Sequence, residues 1–246
     1  MPEEQIGQTA AGGSKQGHGA PTFGWQMSLF FVALMLVFVY LPIDVELPVS
    51  LFAFMFSGVL LAATFAVRTH GHWRLVSITL AVASVILAWA ATLLVAVPVW
   101  LELSAFVVSS LFVVYTMGII VMRIMQVRRV SIHTISAALS LYLLMGILCG
   151  LIYSSLETAV PGSFHSATGN LLHIDRTVDL FPPLLYFSFT TITTLGFGDV
   201  YPISPAARAI VIVEAVAGQI YLVAMVAMLV SMFAAERAAG GYSQRR

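Results

Sequence analysis

The chain has 246 residues, of which 60% are hydrophobic and only 9% are Asp, Glu, Lys or Arg. A soluble domain of ordinary composition carries about 25% charged residues, because water has to solvate its surface. This composition excludes an ordinary soluble protein and predicts a chain that lies mostly in a lipid bilayer. The formal net charge is zero, so the sequence contains no indication of nucleic acid as a partner.

The N-terminal segment differs from the rest of the chain. Residues 1–22 are rich in Gly, Gln and Ala and have no apolar periodicity. They cannot bury enough apolar surface to offset the entropy of ordering, so they are predicted to be a disordered cytoplasmic tail. Glu3 and Glu4, together with the long first apolar run, argue against a signal peptide. The single cysteine, Cys149, lies in an apolar run and is interpreted as a small packing residue.

Apolar segments long enough to cross the bilayer follow the tail. A spanning helix takes about 20 residues, and helix is expected because lipid cannot pair backbone polar groups. The six segments are Phe23–Leu41, Val49–Val67, Leu75–Val97, Leu101–Met122, Ile132–Ser155 and Ala206–Phe233. The sequence therefore predicts an all-α membrane protein with six transmembrane helices.

Basic residues in the loops predict the orientation, because loops rich in Arg and Lys stay in the cytoplasm. Both termini are expected to be cytoplasmic, in a multi-pass protein of the plasma or inner membrane, and segment 156–199 is expected to face outward. The basic residues concerned are Arg68, Arg74, Arg123, Arg128, Arg129, Arg237, Arg245 and Arg246.

A shorter apolar run, Phe181–Thr193, lies between the fifth and sixth segments. It is too short to cross a bilayer, and Pro182 and Pro183 suit the first turn of a helix. We interpret it as a re-entrant helix that stops partway. The segment 194–199 after it is then irregular backbone at membrane depth, which is tolerated only inside protein or along a water-filled cavity.

Segment 194–199 has glycine at alternate positions, Gly196 and Gly198. Successive carbonyl groups that point the same way require backbone of alternating hand, which glycine adopts without steric cost. Stacked rings of such carbonyls can replace the water around a potassium ion. A closed ring needs four chains, so a homotetramer is predicted. The predicted potassium ligands are Thr194, Leu195, Gly196 and Phe197, with Gly198 completing the filter.

The surrounding residues resemble the pore of potassium channels, in particular bacterial channels of the two-helix-pore type. The resemblance is carried by residues 185–194, by the T-x-G-[YF]-G-D pattern at 194–199, by Val200-Tyr201-Pro202 and by residues 214–222. It covers about residues 132–236, and Phe197 replaces the commoner tyrosine. It implies passive potassium conduction, with no enzymatic activity and no cofactor other than potassium ions in the filter.

The same resemblance implies roles for residues around the filter. Asp199 is expected to accept a hydrogen bond from Tyr186 on the pore helix. Thr190 stands where some channels have a glutamate. Glu214, deep in the sixth segment, is interpreted as a satisfied structural acid that braces the pore helix through Thr190 or Thr191 and is then neutral. A gating or proton-sensing role is the alternative.

Gly218 matches the position of the family's hinge glycine in the inner helix. Glycine makes bending cheap, but it also permits close packing against the pore helix, and the sequence leaves both open. Helical periodicity places Leu222, Val226 and Val230 towards the pore axis. An apolar constriction there could gate by dewetting.

Three further parts are predicted after the tail of residues 1–22. Residues 23–130 form a four-helix domain that resembles a voltage-sensor bundle without gating arginines, residues 131–236 the pore domain, and 237–246 a short cytoplasmic tail. Leu101–Met122 contains no Arg or Lys. Steep voltage dependence is therefore not expected, since it needs several charges that cross the field.

Other functional classes fit less well. A membrane enzyme needs a nucleophile and a base at depth, and the only candidate is His133 beside Ser131. A transporter should show inverted repeats. A non-conducting or regulatory channel-like subunit stays an alternative. His70 and His72 flank a turn that is predicted to be cytoplasmic. In the predicted outer segment, His165 and His173 with Asp175 and Asp179 form either a solvated loop or a divalent-ion or pH-sensing site.

Overall fold

A computed structural model of the chain describes residues 25–40, 49–66, 72–94, 97–127, 131–166 and 180–243. These residues are helical apart from two short strands and the connecting turns, which confirms the predicted helical class. The helices are α1 (Trp25–Tyr40), α2 (Val49–Ala66), α3 (His72–Leu93), α4 (Val99–Gln126), α5 (Ile132–Ala159), α6 (Phe181–Ile192) and α7 (Pro205–Ser243). The strands are β1 (Phe164–Ser166) and β2 (Val200–Pro202). The predicted tail 1–22 lies outside the described residues.

Three helices extend further than the sequence predicted. Helix α4 ends at Gln126, so Arg123 lies in its last turn and not beyond the helix. Helix α5 continues past the predicted end at Ser155 and reaches Ala159. Helix α7 continues past the predicted end at Phe233 and reaches Ser243. The added stretch contains alanine, glutamate and arginine, which are strong helix formers, so helix continues where the apolar run ends.

Four helices in the described ranges are long and apolar enough to cross a membrane, namely Trp73–Leu93, Val99–Gln126, Ile132–Ala159 and Pro205–Met228. Helices α1 and α2 are also apolar but have only 16 and 18 residues. A full span takes about 20. The structure thus supports a multi-pass membrane protein with four membrane-capable helices, and the six-span arrangement stays a prediction.

Helix α5 is the central element of the described structure. Helices α1 to α4 each pack on the next in chain order, and α5 contacts α1, α4, α6 and α7. Within the chain, 67% of the most apolar part of α5 is buried, against only 11% for α7. At the helix starts, the Ser28 hydroxyl of α1 lies 2.9 Å from His133 Nδ1 of α5. Helix α5 therefore joins the first four helices to the elements that follow it.

Two glycines let α6 approach α5 closely. A Cβ atom on Gly146 would lie 2.3 Å from Phe189 Cε1, and one on Gly150 would lie 3.0 Å from Leu185 Cα. Their Gly-x-x-x-Gly spacing is typical of close helix contacts in membranes, although the sequence analysis did not predict this contact. The α5–α6 contact therefore depends on the absence of side chains at both positions.

A small antiparallel ribbon joins the end of α5 to the segment that precedes α7. Strands β1 and β2 pair Phe164 with Pro202 and Ser166 with Val200. The Glu157 carboxylate accepts the backbone N–H groups of Gly162 and Phe164, at 2.7 and 2.9 Å. This ribbon was not predicted, because strands of three residues are too short to show a period.

Replacing Gly150 with alanine tests the close α5–α6 contact. The added methyl group would press on the Leu185 backbone, and overpacking of this kind costs about 1–3 kcal/mol. We expect the melting temperature of the purified protein in detergent to fall. Gly118→Ala is the matched control, because a Cβ at Gly118 meets nothing within 4 Å. An equal loss in both variants would contradict the packing role of Gly150.

Candidate ion pathway

Helix α6 is a short helix surrounded by protein. It spans Phe181–Ile192, with Pro182 and Pro183 in its first turn, as predicted. Its 12 residues measure about 18 Å, less than the roughly 30 Å of a bilayer core. Leu184, Leu185 and Ile192 are fully buried. A helix of this length can enter a membrane but cannot cross it.

Backbone hydrogen bonds fold the next segment onto the end of α6. The N–H groups of Leu195 and Gly196 both donate to the Thr190 carbonyl, at 2.8 and 3.0 Å. The N–H of Thr194 donates to the Thr191 carbonyl at 3.0 Å. The Thr190 hydroxyl donates to the Phe187 carbonyl within the helix. Thr190 therefore holds the start of segment 194–199 through its backbone.

The backbone of segment 194–199 alternates in hand. Thr194, Gly196 and Gly198 have φ values of +61°, +56° and +77°, whereas Leu195 and Phe197 between them do not have positive φ. This is the alternation that the glycine spacing predicts. Thr194 was not predicted to share it, because a threonine in the left-handed region is strained and must be held by its surroundings.

Tyr186 contacts the outer part of the segment. Its ring stacks on Phe197, with centroids 6.5 Å apart and an interplanar angle of 9°. Its hydroxyl lies close to the Asp199 carboxylate. Burial, followed by the interaction with Asp199, raises the pKa of Tyr186. The tyrosine therefore stays protonated beside Asp199.

Gly218 of α7 packs directly on the end of α6. A Cβ at this position would lie 2.5 Å from Ile192 Cγ1 and 3.3 Å from the Ile192 carbonyl oxygen. That carbonyl also accepts the Tyr142 hydroxyl of α5 at 2.9 Å. Helix α7 continues through Gly218 without a break. Close packing thus accounts for the glycine, and a hinge there stays a prediction.

Tyr142 has a role that was not predicted from the sequence. Its ring stacks on Tyr221 of α7, with centroids 6.0 Å apart, and the Tyr221 hydroxyl donates to the Ala138 carbonyl of α5 at 2.6 Å. A signal was present, since both are polar aromatic residues inside otherwise apolar helices. Such residues need a partner when buried.

Glu214 of α7 is buried, with 2% of its surface exposed. Its Oε1 contacts the Ser188 hydroxyl of α6, and its Oε2 accepts from the Tyr153 hydroxyl of α5. The predicted contact with a hydroxyl group of α6 is present, but the hydroxyl belongs to Ser188 and not to Thr190 or Thr191. Ser188 lies on a different face of α6 from Thr190, and it is this face that meets Glu214.

Cys149 is buried, as a packing residue should be, and its thiol lies close to the Glu214 carboxyl group. Sequence alone could not show this contact, because it joins residues on two different helices. The Glu214 carboxyl group therefore has partners from both α5 and α6.

The lower part of α7 carries an apolar face that the other described residues leave uncovered. Leu222, Val226 and Val230, predicted to share one face, line a shallow groove there. The other residues of this groove are Val223, Ala227, Ser231 and Ala234.

The residues that were considered for an enzyme or a metal site do not form such a site among the described residues. Ser131 caps α5 by accepting the Thr134 N–H at 3.3 Å. His133 contacts Ser28, a pair that was not predicted, but no carboxylate among the described residues is hydrogen-bonded to this histidine. The described residues contain no cluster of metal-ligating side chains. His70, His173, Asp175 and Asp179 lie outside the described ranges.

Residues 142–235 match a family model described as "Ion channel", a two-helix ion channel domain. The match begins in α5, includes α6 and segment 194–199, and ends in α7. Searches of the curated proteins and of the solved structures found no match to the chain. The chain is thus a multi-pass membrane protein with an ion channel domain, and the residues around α6 lie inside that domain.

A double-mutant cycle at Gly218 and Ile192 separates packing from bending. Gly218→Ala should lower the free energy of unfolding by about 1–3 kcal/mol, because the methyl group overlaps Ile192. Ile192→Ala removes the overlapping atoms, so the two changes should compensate each other with a coupling energy of about 1–2 kcal/mol. Denaturant unfolding of the four proteins measures this energy. Additive losses would contradict the packing role and leave a hinge.

Proposed function

We propose that the chain is one subunit of a homotetrameric, potassium-selective channel that conducts potassium passively across the membrane. The observation that carries this proposal is the alternation of positive φ at Thr194, Gly196 and Gly198, directly after a short buried helix in a matched ion channel domain. Backbone of alternating hand turns successive carbonyl groups to one side, which is what a potassium filter requires. The ligands would be the carbonyl oxygens of Thr194, Leu195, Gly196 and Phe197, with Gly198 completing the run.

The contacts around segment 194–199 would hold this filter in place. The Thr190 carbonyl holds its start, and the Tyr186 ring stacks on Phe197 in its outer part. Glu214 joins the pore helix to the inner helix. A filter needs such support because ligands that relax around a smaller ion lose selectivity for the larger one.

The exposure of apolar residues in a single chain supports the tetramer. Only 11% of the apolar part of α7 is buried within the chain. Leu195 and Phe197 of the proposed filter are 57% and 65% exposed. Four chains around one axis would cover these surfaces and close each ring of carbonyls. A single chain cannot form the ring.

The gate would lie on the lower part of α7. Four copies of Leu222, Val226 and Val230 would form an apolar constriction below Gly218, and such constrictions close by losing their water. In α4, Arg123 in the last turn is the only basic residue. Steep voltage dependence needs several charges within the field, so we expect little of it.

Ion flux into liposomes that contain the purified protein tests the proposal. Potassium flux should greatly exceed sodium flux and should change little with imposed voltage. Equal potassium and sodium flux would contradict the filter, and steep voltage dependence would contradict the absence of a voltage sensor. Absence of flux, with a tetrameric mass, would instead favour the alternative, a non-conducting or regulatory subunit of the same fold.

Gly198→Ser should abolish potassium selectivity. A serine in the left-handed region costs about 1–2 kcal/mol in each of four subunits, which opposes the backbone conformation of the whole ring. The ratio of potassium to sodium flux in liposomes measures the effect. Gly58→Ser in α2, where a Cβ meets nothing within 4 Å, is the control and should keep the wild-type ratio. A wild-type ratio in Gly198→Ser would refute the filter assignment.

A further inference from the structure

The carboxyl group of Glu214 is buried without a positive charge beside it. Helix α5 presents Tyr153 and Cys149 to it, with Tyr142 further away, and α6 presents the Ser188 hydroxyl. All of these are uncharged in their ordinary forms. Among the described residues, no Lys, Arg or His contacts this carboxyl group. An ionised carboxylate in such a place is costly, because neither water nor a cation stabilises its charge.

The number of protons available to these groups decides the form of the acid. Each hydrogen bond needs one proton between its two heavy atoms, and a hydroxyl has only one to donate. The Ser188 hydroxyl lies 2.7 Å from the Gly146 carbonyl, which can only accept, so its proton is used there. The contact between Ser188 Oγ and Glu214 Oε1 then lacks a proton unless the glutamate supplies it.

The remaining contact agrees with this count. Tyr153 supplies the proton for its bond to Oε2. With an ionised glutamate, the Ser188 and Tyr153 hydroxyl groups offer two protons for the three contacts with Glu214 and Gly146. A neutral carboxylic acid adds the third proton, and every contact becomes a normal hydrogen bond.

We propose that Glu214 is a neutral carboxylic acid that donates its proton to Ser188 and accepts from Tyr153, and that it acts as a positioning residue for the ion pathway. The chain of bonds runs from α7 through the acid to α6 and on to Gly146 of α5. These bonds hold α6 at Ser188, just before Thr190. The Thr190 carbonyl in turn holds the start of segment 194–199. Loss of the proton leaves one bond unmade and loosens α6 from α7.

The proton assignment rests on the contacts alone, whereas its effect on conduction rests on the proposed function. Raising the pH removes the proton and with it the Ser188 bond. In the unfolded chain the Glu214 side chain is ionised at neutral pH, whereas in the folded protein it is neutral, so folding takes up a proton. The stability of the folded protein should therefore fall as pH rises. Low pH should preserve the hydrogen bond from Glu214 of α7 to Ser188 of α6.

Infrared spectroscopy tests the assignment directly. At neutral pH, the difference spectrum between the wild type and Glu214→Gln should contain the carbonyl stretch of one neutral carboxylic acid. Glu157→Gln is the matched control, because that carboxylate accepts two backbone N–H groups in an outer turn and should contribute carboxylate bands only. A Glu214→Gln difference spectrum that contains carboxylate bands alone would overturn the proposal.

Stability against pH gives a second readout that does not depend on conduction. The melting temperature of the wild type should fall between neutral and alkaline pH more than that of Glu214→Gln, whose amide donates and accepts without titrating. Glu214→Ala should reduce potassium flux about tenfold or more by leaving buried groups unpaired, and Gln should recover most of that loss. Identical pH profiles for the wild type and Gln would contradict the proposal. The neutral-acid band in a protein without potassium flux would uphold the proton assignment and refute the channel.

Discussion

A backbone polar group inside a bilayer must be paired within the protein, and this constraint shapes the region around α6. The helix ends inside the protein, where the carbonyl groups of its last turn would otherwise be unpaired. The Thr190 carbonyl accepts two N–H groups from the segment that follows, and the Ile192 carbonyl accepts the Tyr142 hydroxyl. Because the end of α6 is satisfied in this way, irregular backbone can follow it directly.

Close approach of neighbouring helices makes that pairing possible. Gly146 and Gly150 of α5 and Gly218 of α7 all face α6 where a Cβ atom would clash. At the other end of α6, the Phe181 ring meets Phe56 of α2 and Phe106 of α4 at centroid distances of 5.3 and 6.2 Å. The first four helices thus support the start of the short helix.

The sequence predicted the positions of the helices well, because an apolar run of about 20 residues is a local signal that lipid makes nearly unambiguous. It also predicted the backbone at Gly196 and Gly198, since glycine at alternate positions suits backbone of alternating hand. It failed at Thr194, whose positive φ is imposed by the hydrogen bonds of its neighbours and not by its own preference. It also misplaced the end of α7, because helix propensity continues where hydrophobicity stops.

Composition and glycine spacing by themselves determined that this chain belongs in a bilayer, where its helices lie and which glycines alternate in backbone hand. These properties follow from local chemistry, so they can be read residue by residue. Only the tertiary structure decided that Glu214 meets Ser188 and Tyr153, and that Gly218 is needed for contact with Ile192. Those contacts depend on how far one helix is rotated and shifted against another. Different rotations would give different contact partners, yet the apolar pattern in the sequence would be the same for all of them.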